Sequence, residues 1–475
     1  MYLKKLNINY FRCFDKEEGF EVEFAPRVTV LFGKNGSGKS TLIHAIHKAL
    51  SFVFNGNTKD ELGLDLTLGF PELKVEQYTK TDGVRNPKTG FLYPYIDIKA
   101  NAEYQGSSLE WNMFASTSSF KLQPTKYAKA YDEVIKRINE TNTLPFFAYY
   151  SDSFPHIPKA KLISQQQGEL RNLGYLDWNQ ESACSELWIS RLRNKWILWD
   201  RADRNVKHEE NALRNCESFF KQNIISKEEY DEDVLLHKEK LQKALDEKDR
   251  YDKEVSEIKS CLIKFSKGDT NYEVTDIFDS IYEEDGLCLE TKQGDNPPFH
   301  FLPAGYKRMY YIVLDIAYRS YILNGTTDAK GVVVIDEIDL HLHPELEQVV
   351  LERFMNTFPN LQFIVSTHSP LVLTGVETKD EQNVILRMEP GTDRPETWHD
   401  IHGIDYNLML EENMGVQKRK PMVQALFNKA WKSISDKQIA EAKSIVEELE
   451  KITPSDQSEL IKLRAMIKRL EVIGR

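Results

Sequence analysis

The chain has 475 residues, and its hydrophobic fraction of 41% and charged fraction of 29% are those of a globular protein rather than a disordered or fibrous one. Asp and Glu outnumber Lys and Arg by 74 to 62, a net charge of −12, which disfavours nucleic-acid binding over the whole surface. Five cysteines without a C-x-x-C pair, and no long apolar run, predict a cytoplasmic protein without a disulfide framework, secretion signal or membrane span.

The N-terminal part of the chain reads as β-structure. Two short strands precede Val28–Phe32, a continuous apolar run typical of a strand buried on both faces. Farther on, residues Tyr95–Tyr104 and 109–114 alternate between apolar and polar on either side of 105–108, which predicts a β-hairpin. A further buried strand is expected within 144–150.

The middle of the chain is highly charged and reads as helical. Between positions 207 and 265, 27 of 59 residues are charged, with neither proline nor glycine. Ser226 and Glu229 form a capping-box pattern, which predicts that a helix begins there. Two helices of about 40 residues joined near Asn223 would make an antiparallel hairpin about 60 Å long. The pattern leaves two alternatives open, a projecting coiled-coil arm or a solvated helix pair packed on its own domain.

Four of the seven tryptophans lie at or near the start of this region, at positions 178, 188, 196 and 199. Trp188, Leu192, Trp196 and Trp199 share one helical face. Such a stripe can stack on nucleic-acid bases. At this spacing, burial against the rest of the molecule or the neighbouring helix is the favoured interpretation.

The C-terminal part returns to a globular texture. Short buried strands are expected at 332–335 and 363–365, and residues 312–314 lie in a helical stretch. Three helical segments are predicted near the end of the chain, at about 423–434, 438–451 and 459–473.

A nine-residue stretch after the strand Val28–Phe32 matches the phosphate-binding pattern G-x-x-x-x-G-K-S/T. Its residues are Gly33, Lys34, Asn35, Gly36, Ser37, Gly38, Lys39, Ser40 and Thr41. The glycines let backbone N–H groups surround a phosphate, and the following helix adds positive potential at its N-terminus. We therefore expect ATP as the ligand, with Lys39 at the β- and γ-phosphates and the Ser40 hydroxyl on Mg²⁺.

A second stretch supplies the acidic half of such a site. The apolar run 332–335 ends in Asp336 and Glu337, two carboxylates at the end of a buried strand. Asp336 is expected to hold the metal, and Glu337 to act as general base for the attacking water. Lys39 and Asp336 are 297 residues apart, so the sequence predicts a large insertion that contains the helical hairpin.

Histidines follow the acidic half. His368 comes at the end of the next predicted strand, where a sensor of the γ-phosphate would lie. His341 and His343 form an H-x-H pair, but a third ligand at a useful spacing is missing. A zinc site at this pair is therefore disfavoured.

Taken in order, these motifs resemble the ABC-type ATPase heads of the SMC, Rad50 and RecF group. The opening Ile-Asn-Tyr-Phe-Arg-Cys-Phe at 8–14 is similar to that group's first motif, and the resemblance implies that Arg12 lies near the bound nucleotide. Asp339, in the Ile-Asp-Leu-His-Leu-His-Pro stretch after Glu337, matches the D-loop. Together with Ser-Thr-His-Ser-Pro at 366–370, that stretch is typical of the overcoming-lysogenization-defect branch.

The resemblance implies the fold class and its division. We expect an α/β protein, an ABC-type head split into two lobes, with a P-loop core and an antiparallel β subdomain. The predicted regions are lobe I at 1–177, the helical insertion at 178–265, lobe II at 266–400, and a C-terminal helical appendage at 401–475. In the group, two heads enclose two ATP molecules, which implies a homodimer here. We also expect this dimer to assemble into a larger homo-oligomer.

One motif departs from the group's pattern. A Leu-Ser-x-Gly-Glu/Gln signature precedes the acidic strand in the group, and here Leu-Pro-Ala-Gly-Tyr occupies 302–306. Gly305 keeps its backbone N–H, but Pro303 replaces the serine whose hydroxyl would contact the partner's γ-phosphate. The missing hydrogen bond, worth about 1.5–3 kcal/mol, predicts slow or regulatory hydrolysis. The Q-loop glutamine is unassigned, because Gln165, Gln166 and Gln167 fit a surface loop better.

The C-terminal residues distinguish between the related ATPase families. Residues 370–475 contain no D-x-D pair and no HNH-like histidine cluster, so we expect no nuclease site in this chain. The layout resembles the ATPase family of Septu anti-phage systems (PtuA), which also accompanies some retrons. That resemblance implies a separately encoded, PtuB-like HNH endonuclease as partner, with DNA or a retron reverse transcriptase and its msDNA as further candidates, and no membrane partner.

Two other classes remain for comparison. The alternative function is a RecF- or Rad50-like repair or recombination ATPase that binds DNA on its head dimer. A hook-type tether is disfavoured, because the helical insertion lacks a C-x-x-C motif. The ATPase subunit of a membrane transporter is disfavoured by the large insertion, the Pro-Ala-Gly-Tyr signature and the tail.

Overall fold

The computed structural model describes residues 1–55, 73–151, 171–175, 178, 185–280, 286–379, 381–399, 401–406, 409, 419–454 and 456–473. Its contacts divide the chain into two compact units, Met1–His402 and Gly403–Arg475. The predicted α/β class is confirmed, because the first unit combines sheets with helices. The finer division at 177/178 and 265/266 remains a proposal.

The first unit contains a four-stranded antiparallel sheet, in the order β2-β1-β4-β5. Its strands are β1 (Tyr2–Asn9), β2 (Phe20–Glu23), β4 (Tyr95–Tyr104) and β5 (Ser107–Ser116). The predicted hairpin is present, but its turn has two residues instead of four. Gln105 and Gly106 both have positive φ, 49° and 79°, which is the geometry of a tight turn that matches the strand twist.

A six-stranded sheet forms the centre, in the order β12-β11-β3-β10-β9-β6. Its strands are β3 (Val28–Phe32), β6 (Phe146–Tyr150), β9 (Gly331–Ile335), β10 (Leu361–Thr367), β11 (Asn383–Arg387) and β12 (Glu396–Trp398). All neighbours run parallel except β11 and β12. Every residue of β3, β6, β9 and β10 is buried, as expected of parallel strands covered on both faces.

The described residues of the first unit also form a small β-ribbon, α-helices and several short 3-10 helices. The ribbon pairs β7 (Val274–Asp279) with β8 (Leu287–Thr291). The α-helices are α1 (Lys39–Leu50), α2 (Ala128–Thr141), α3 (Ser185–Lys221), α4 (Lys227–Ser266), α5 (Ala304–Asn324), α6 (Pro344–Thr357) and α7 (Pro370–Thr374).

Helices α3 and α4 form the predicted hairpin. The capping box is present, since Ser226 Oγ accepts the Glu229 N–H at 3.2 Å and Glu229 Oε2 accepts the Ser226 N–H at 2.8 Å. Near the root of the hairpin, Leu192 and Leu262 are fully buried, whereas Leu235 is 63% exposed toward its far end. The root therefore packs on the rest of the unit, and the far end presents most of its surface to solvent. Residues 181–184, also predicted to be helical, lie outside the described residues.

The tryptophan stripe faces the molecule's own residues. Trp188 is fully buried and donates its indole N–H to the Asp315 carboxylate of α5. Trp196 lies under the Lys259 ammonium, 3.7 Å from ring centroid to nitrogen. The expected burial against the head or the neighbouring helix is confirmed for Trp188, which packs on α5, and this geometry does not favour base stacking.

The second unit is a small helical bundle. Among its described residues, it contains α8 (Pro421–Ser435), α9 (Ile439–Ile452) and α10 (Ser458–Ile473), close to the three predicted segments. Its core includes Phe427, Ala442, Leu449, Leu460 and Leu463. Across the part of the chain that the structure describes, no helix combines the length and apolarity needed to cross a bilayer.

Candidate nucleotide-binding site

The candidate residues converge because of strand order. β10 lies between β3 and β9 and is parallel to both, so the carboxyl ends of the three strands share one edge of the sheet. The ends of these strands and the segments that follow them carry the phosphate-binding residues 33–41, the acidic residues 336–339 and the segment 366–370. In open parallel sheets this edge is where ligands bind.

The phosphate-binding loop uses backbone conformations that only glycine adopts readily. Gly36 and Gly38 have φ of 80° and 99°. A Cβ on Gly33 would lie 2.3 Å from the carbonyl oxygen of Met388, so the loop also needs glycine for close approach. The Lys39 ammonium donates to the Gly33 carbonyl at 2.8 Å and to that of Lys34 at 3.3 Å.

The structure brings the acidic residues to Lys39 across the sheet edge. Burial lowers the pKa of the Lys39 ammonium, and the negative charges of Asp336, Glu337 and Asp339 oppose that effect. Three carboxylates from one loop therefore act electrostatically on the phosphate-binding lysine. The two motifs that are 297 residues apart in the sequence form one site.

The side chain of Ser366 organises the acidic pair. Its hydroxyl donates to the Asp336 carboxylate and accepts the Glu337 N–H at 2.8 Å. Glu337 has a φ of 49°, a left-handed conformation that is uncommon for a residue with a Cβ. Both carboxylates are half-buried.

The Asp339 carboxylate contacts the segment that carries His368. Asp339 Oδ1 accepts the Thr367 hydroxyl at 2.6 Å and the His368 N–H at 3.3 Å. The His368 side chain is exposed at the strand end. The structure thus places the expected sensor residue beside the D-loop position.

The signature glycine is held against the loop that follows Asp339. Pro303 precedes α5, and Gly305 lies in the first turn of that helix. A Cβ on Gly305 would lie 2.4 Å from the carbonyl oxygen of His341, so glycine is required there by packing within the chain. His341 has a φ of 64°, so this contact is made by an unusual backbone turn.

Arg308 is a residue that sequence reasoning missed. Its side chain is 1% exposed, and its guanidinium donates to the carbonyls of Asp336, Glu337 and Ser151 at 3.0, 2.9 and 3.2 Å. It therefore links α5 to the ends of β9 and β6. A lone arginine in a helix resembles a solvated side chain, so no local pattern indicated this contact.

Arg12 lies in a loop that packs against the phosphate-binding loop. Its Nε donates to Asp82 Oδ1 at 2.9 Å. Burial alone would raise the pKa of the Asp82 carboxyl, but hydrogen bonds from Thr79 and Arg12 hold it below the usual value. The next residue, Cys13, has its Sγ 3.2 Å from the position of a Cβ on Gly38.

Other candidates have structural roles or fall outside the description. His343 Nδ1 accepts the Glu345 N–H at 3.5 Å and so caps α6. Among the described residues, no group of three or more His, Cys, Asp or Glu side chains is placed to hold a metal by itself. Gln165, Gln166 and Gln167 lie outside the described residues.

The donor set fits Mg²⁺ with a polyphosphate. The exposed hydroxyl of Ser40 and the carboxylate of Asp336 are oxygen donors of the kind Mg²⁺ prefers, and such a metal keeps few protein ligands. Ser37 Oγ is buried without a hydrogen-bond partner among the described residues. A loop of N–H groups, a lysine and these hydroxyls suits a bound phosphate chain.

Comparison with known proteins agrees with this chemistry. The probable ATPase of retron Vc95 from Vibrio cholerae serotype O1 biovar El Tor is 26% identical over 407 residues, covering 81% of this chain and 74% of its own. The Septu protein PtuA from Bacillus mycoides (strain KBAB4) is 41% identical over 75 residues, 16% of this chain and 11% of its own.

Two further comparisons are with a solved structure and with a family model. A solved SMC head domain with an extended coiled coil, bound to the C-terminal domain of ScpA and derived from Pyrococcus furiosus, aligns with a TM-score of 0.43 and 14% identity. It covers 87% of this chain and 98% of its own. The family model described as AAA ATPase domain matches residues 1–373. The chain therefore belongs to the AAA ATPase domain family.

Proposed function

We propose that this ATPase is the nucleotide-binding subunit of a bacterial anti-phage defence complex. In this proposal, the nucleotide state of a head dimer regulates a separately encoded HNH nuclease. The observation that carries the proposal is the arrangement of Asp336, Glu337 and Asp339 around Lys39 at one sheet edge. The similarity to a retron ATPase and to a Septu protein supports the defence setting.

Each residue has an assigned part in this proposal. The loop N–H groups and Lys39 bind the phosphates, and Ser40 and Asp336 would hold Mg²⁺. When bound, the metal neutralises charge that develops on the phosphates. Glu337 accepts a proton from the attacking water, and His368 senses the γ-phosphate.

A second copy of the chain completes the site in the proposal. Gly305 of one copy contributes its N–H to the nucleotide of the other, while Arg12 lies near the nucleotide in its own copy. Pro303 supplies no hydroxyl for the γ-phosphate, so hydrolysis is proposed to be slow and regulatory. We also propose lobes at 1–177 and 266–400 for this head, the helical insertion at 178–265 between them, and a larger homo-oligomer.

The effector is proposed to be a separate protein of the cytoplasm. The helical unit Gly403–Arg475 is the proposed contact for the HNH nuclease or for oligomerisation. In this arrangement the present chain supplies ATP-dependent control and the partner supplies nucleic-acid cleavage.

Co-expression with the product of the neighbouring gene, which the proposal expects to be an HNH nuclease, tests the proposal. We expect the two proteins to elute together from a sizing column, and ATP with Mg²⁺ to change the nuclease activity of the complex. Separate elution with both proteins present would reject regulation by complex formation. If instead duplex DNA binds this chain alone with a steep salt dependence and stimulates ATP turnover, the repair-type alternative is favoured.

A further inference from the structure

A single buried hydroxyl contacts both members of the acidic pair. Ser366, in β10, is fully buried, and its Oγ donates to the carboxylate of Asp336. The same oxygen accepts the N–H of Glu337 at 2.8 Å. The Ser366 side chain therefore holds Asp336 through its carboxylate and Glu337 through its backbone N–H.

The second contact matters because Glu337 is strained. A φ of 49° in a residue with a Cβ costs about 1–2 kcal/mol relative to the right-handed region. The hydrogen bond to Ser366 helps offset this cost, and it sets the direction in which the chain leaves β9. Without it, the preferred backbone conformation of Glu337 would change, and its carboxylate would move with it.

The first contact restrains the proposed metal ligand. A carboxylate that accepts a hydroxyl hydrogen on one oxygen has a restricted rotation and presents its other oxygen in a defined direction. Partners of this kind typically contribute 10- to 100-fold to metal affinity or activity.

We propose that Ser366 is a positioning residue for ATP hydrolysis. Its hydroxyl holds Asp336 for the metal and Glu337 for the attacking water, so that the two adjacent acids keep separate roles. This inference rests on the proposed function, because it concerns the site that hydrolyses ATP. Ser366 acts through the two acids and does not itself contact substrate in this account.

The local fold does not depend on the hydroxyl alone. The Ser366 carbonyl accepts the Ile338 N–H at 3.0 Å, and β10 pairs with β9 along its length. These backbone contacts remain when the side chain is shortened. A Ser366→Ala variant is therefore expected to fold, and its changes should be confined to the two contacts of the hydroxyl and to the positions of Asp336 and Glu337 that these contacts hold.

The test compares Ser366→Ala with Ser366→Thr. For the alanine variant we expect a fall in kcat of about 10-fold or more, and a rise of similar size in the Mn²⁺ concentration that half-saturates the ATP complex. Its ATP affinity without metal should change by less than about 3-fold, because Lys39 and the loop N–H groups are untouched. The threonine variant keeps the hydroxyl and should recover part of both losses.

A matched control is Ser320→Ala in α5. Ser320 is fully buried, and its Oγ has no hydrogen-bond partner among the described residues, so the same deletion should leave kcat and Mn²⁺ binding unchanged. An alanine variant at 366 with unchanged kcat and unchanged Mn²⁺ binding would overturn the inference. The inference would also be overturned if metal-free ATP affinity and thermal stability fell as much as kcat and Mn²⁺ affinity. Such a uniform loss indicates a merely structural role. If the wild type hydrolyses no ATP, the proposed function fails, whereas Mn²⁺ binding still decides the role of Ser366.

Discussion

At the scale of the residue, the proposed roles assign ATP binding and ATP hydrolysis to different side chains. In the proposed site, Lys39 begins α1 directly after the phosphate-binding loop, whereas Glu337 follows β9 at the same edge of the sheet. Lys39→Ala should weaken ATP binding by about 100-fold or more, since a charged hydrogen bond to phosphate is lost. Glu337→Gln should keep binding, lower kcat by about 10²- to 10⁴-fold and trap the closed dimer. Nucleotide titration, turnover assays and sizing columns measure these effects, and unchanged turnover in Glu337→Gln would contradict the assigned base.

A second residue-scale prediction concerns a buried acid in the antiparallel sheet. Asp97 is 6% exposed, and burial raises the pKa of its carboxyl to about 6, with Lys99 and Lys126 opposing the shift. Asn9, its partner across β1 and β4, also has a buried side-chain oxygen without a partner among the described residues. Two facing acceptors favour a protonated carboxyl, which can donate a hydrogen bond.

The sign of the pH effect follows from linkage. The folded protein binds the extra proton between about pH 4 and 6, so the stability contribution of Asp97 falls as pH rises through this window. The Asp97→Asn variant has no carboxyl to ionise at this position, so it should not lose stability in this pH window. Its melting temperature should exceed the wild-type value by an amount that grows up to about pH 7. After allowance for solvent screening, the variant should gain about 1 kcal/mol in the free energy of unfolding. Melting curves from pH 5 to 8 measure it. Asp132→Asn, at an exposed position of α2, serves as control, and a gain independent of pH would contradict the assignment.

At the scale of the element, the helical hairpin is anchored by one buried carboxylate. Asp315 is fully buried in α5 and accepts hydrogen bonds from the Trp188 indole, the Tyr150 hydroxyl and the Arg319 guanidinium. These donors come from the hairpin root, from strand β6 and from α5 itself. The carbonyl of Tyr150 accepts the Asp336 N–H at 2.8 Å, so the anchor adjoins the acidic motif.

Trp188→Phe should loosen this anchor. The change removes one hydrogen-bond donor to the buried Asp315 carboxylate, which should lower the free energy of unfolding by about 1.5–3 kcal/mol. We expect faster hydrogen exchange at the hairpin root and a lower melting temperature. Trp196→Phe, which weakens only the contact with the Lys259 ammonium, should cost about 0.5–1 kcal/mol. Equal effects of the two substitutions would contradict the special role of Asp315.

The start of α4 and the turn between β4 and β5 show what a local sequence pattern can predict. The capping box at Ser226 and Glu229 predicted the start of α4 because the cap and the helix lie within four residues. The hairpin turn at Gln105 and Gly106 was predicted two residues too long. Its left-handed geometry depends on strand pairing as well as composition.

At the scale of the whole molecule, the two compact units predict separable properties. The family match ends at residue 373, within the unit Met1–His402, and the bundle beyond it has its own apolar core. A chain ending at residue 402 should therefore bind and hydrolyse ATP within about 3-fold of the wild-type rate. It should fail to bind the HNH nuclease or to form the larger oligomer. Turnover and analytical ultracentrifugation measure the two properties, and loss of ATP binding on truncation would contradict the separation.

The sequence alone indicated the residues of the candidate nucleotide site and determined the kinds of element around it. Lys39 with its glycines, and Asp336 with Glu337 after a buried strand, are contiguous motifs whose physical requirements lie within a few residues. The charged composition and apolar spacing likewise predicted a helical insertion between them.

Only the tertiary structure decided how these motifs are supported. Ser366 reaches Asp336 and Glu337 because β10 adjoins β9, and strand order is not encoded in local periodicity. Arg308 and the close approach of Gly305 to the loop after Asp339 depend in the same way on where α5 packs. Such contacts join residues about 30 positions or more apart, so their side-chain types carry no local signal of their partners.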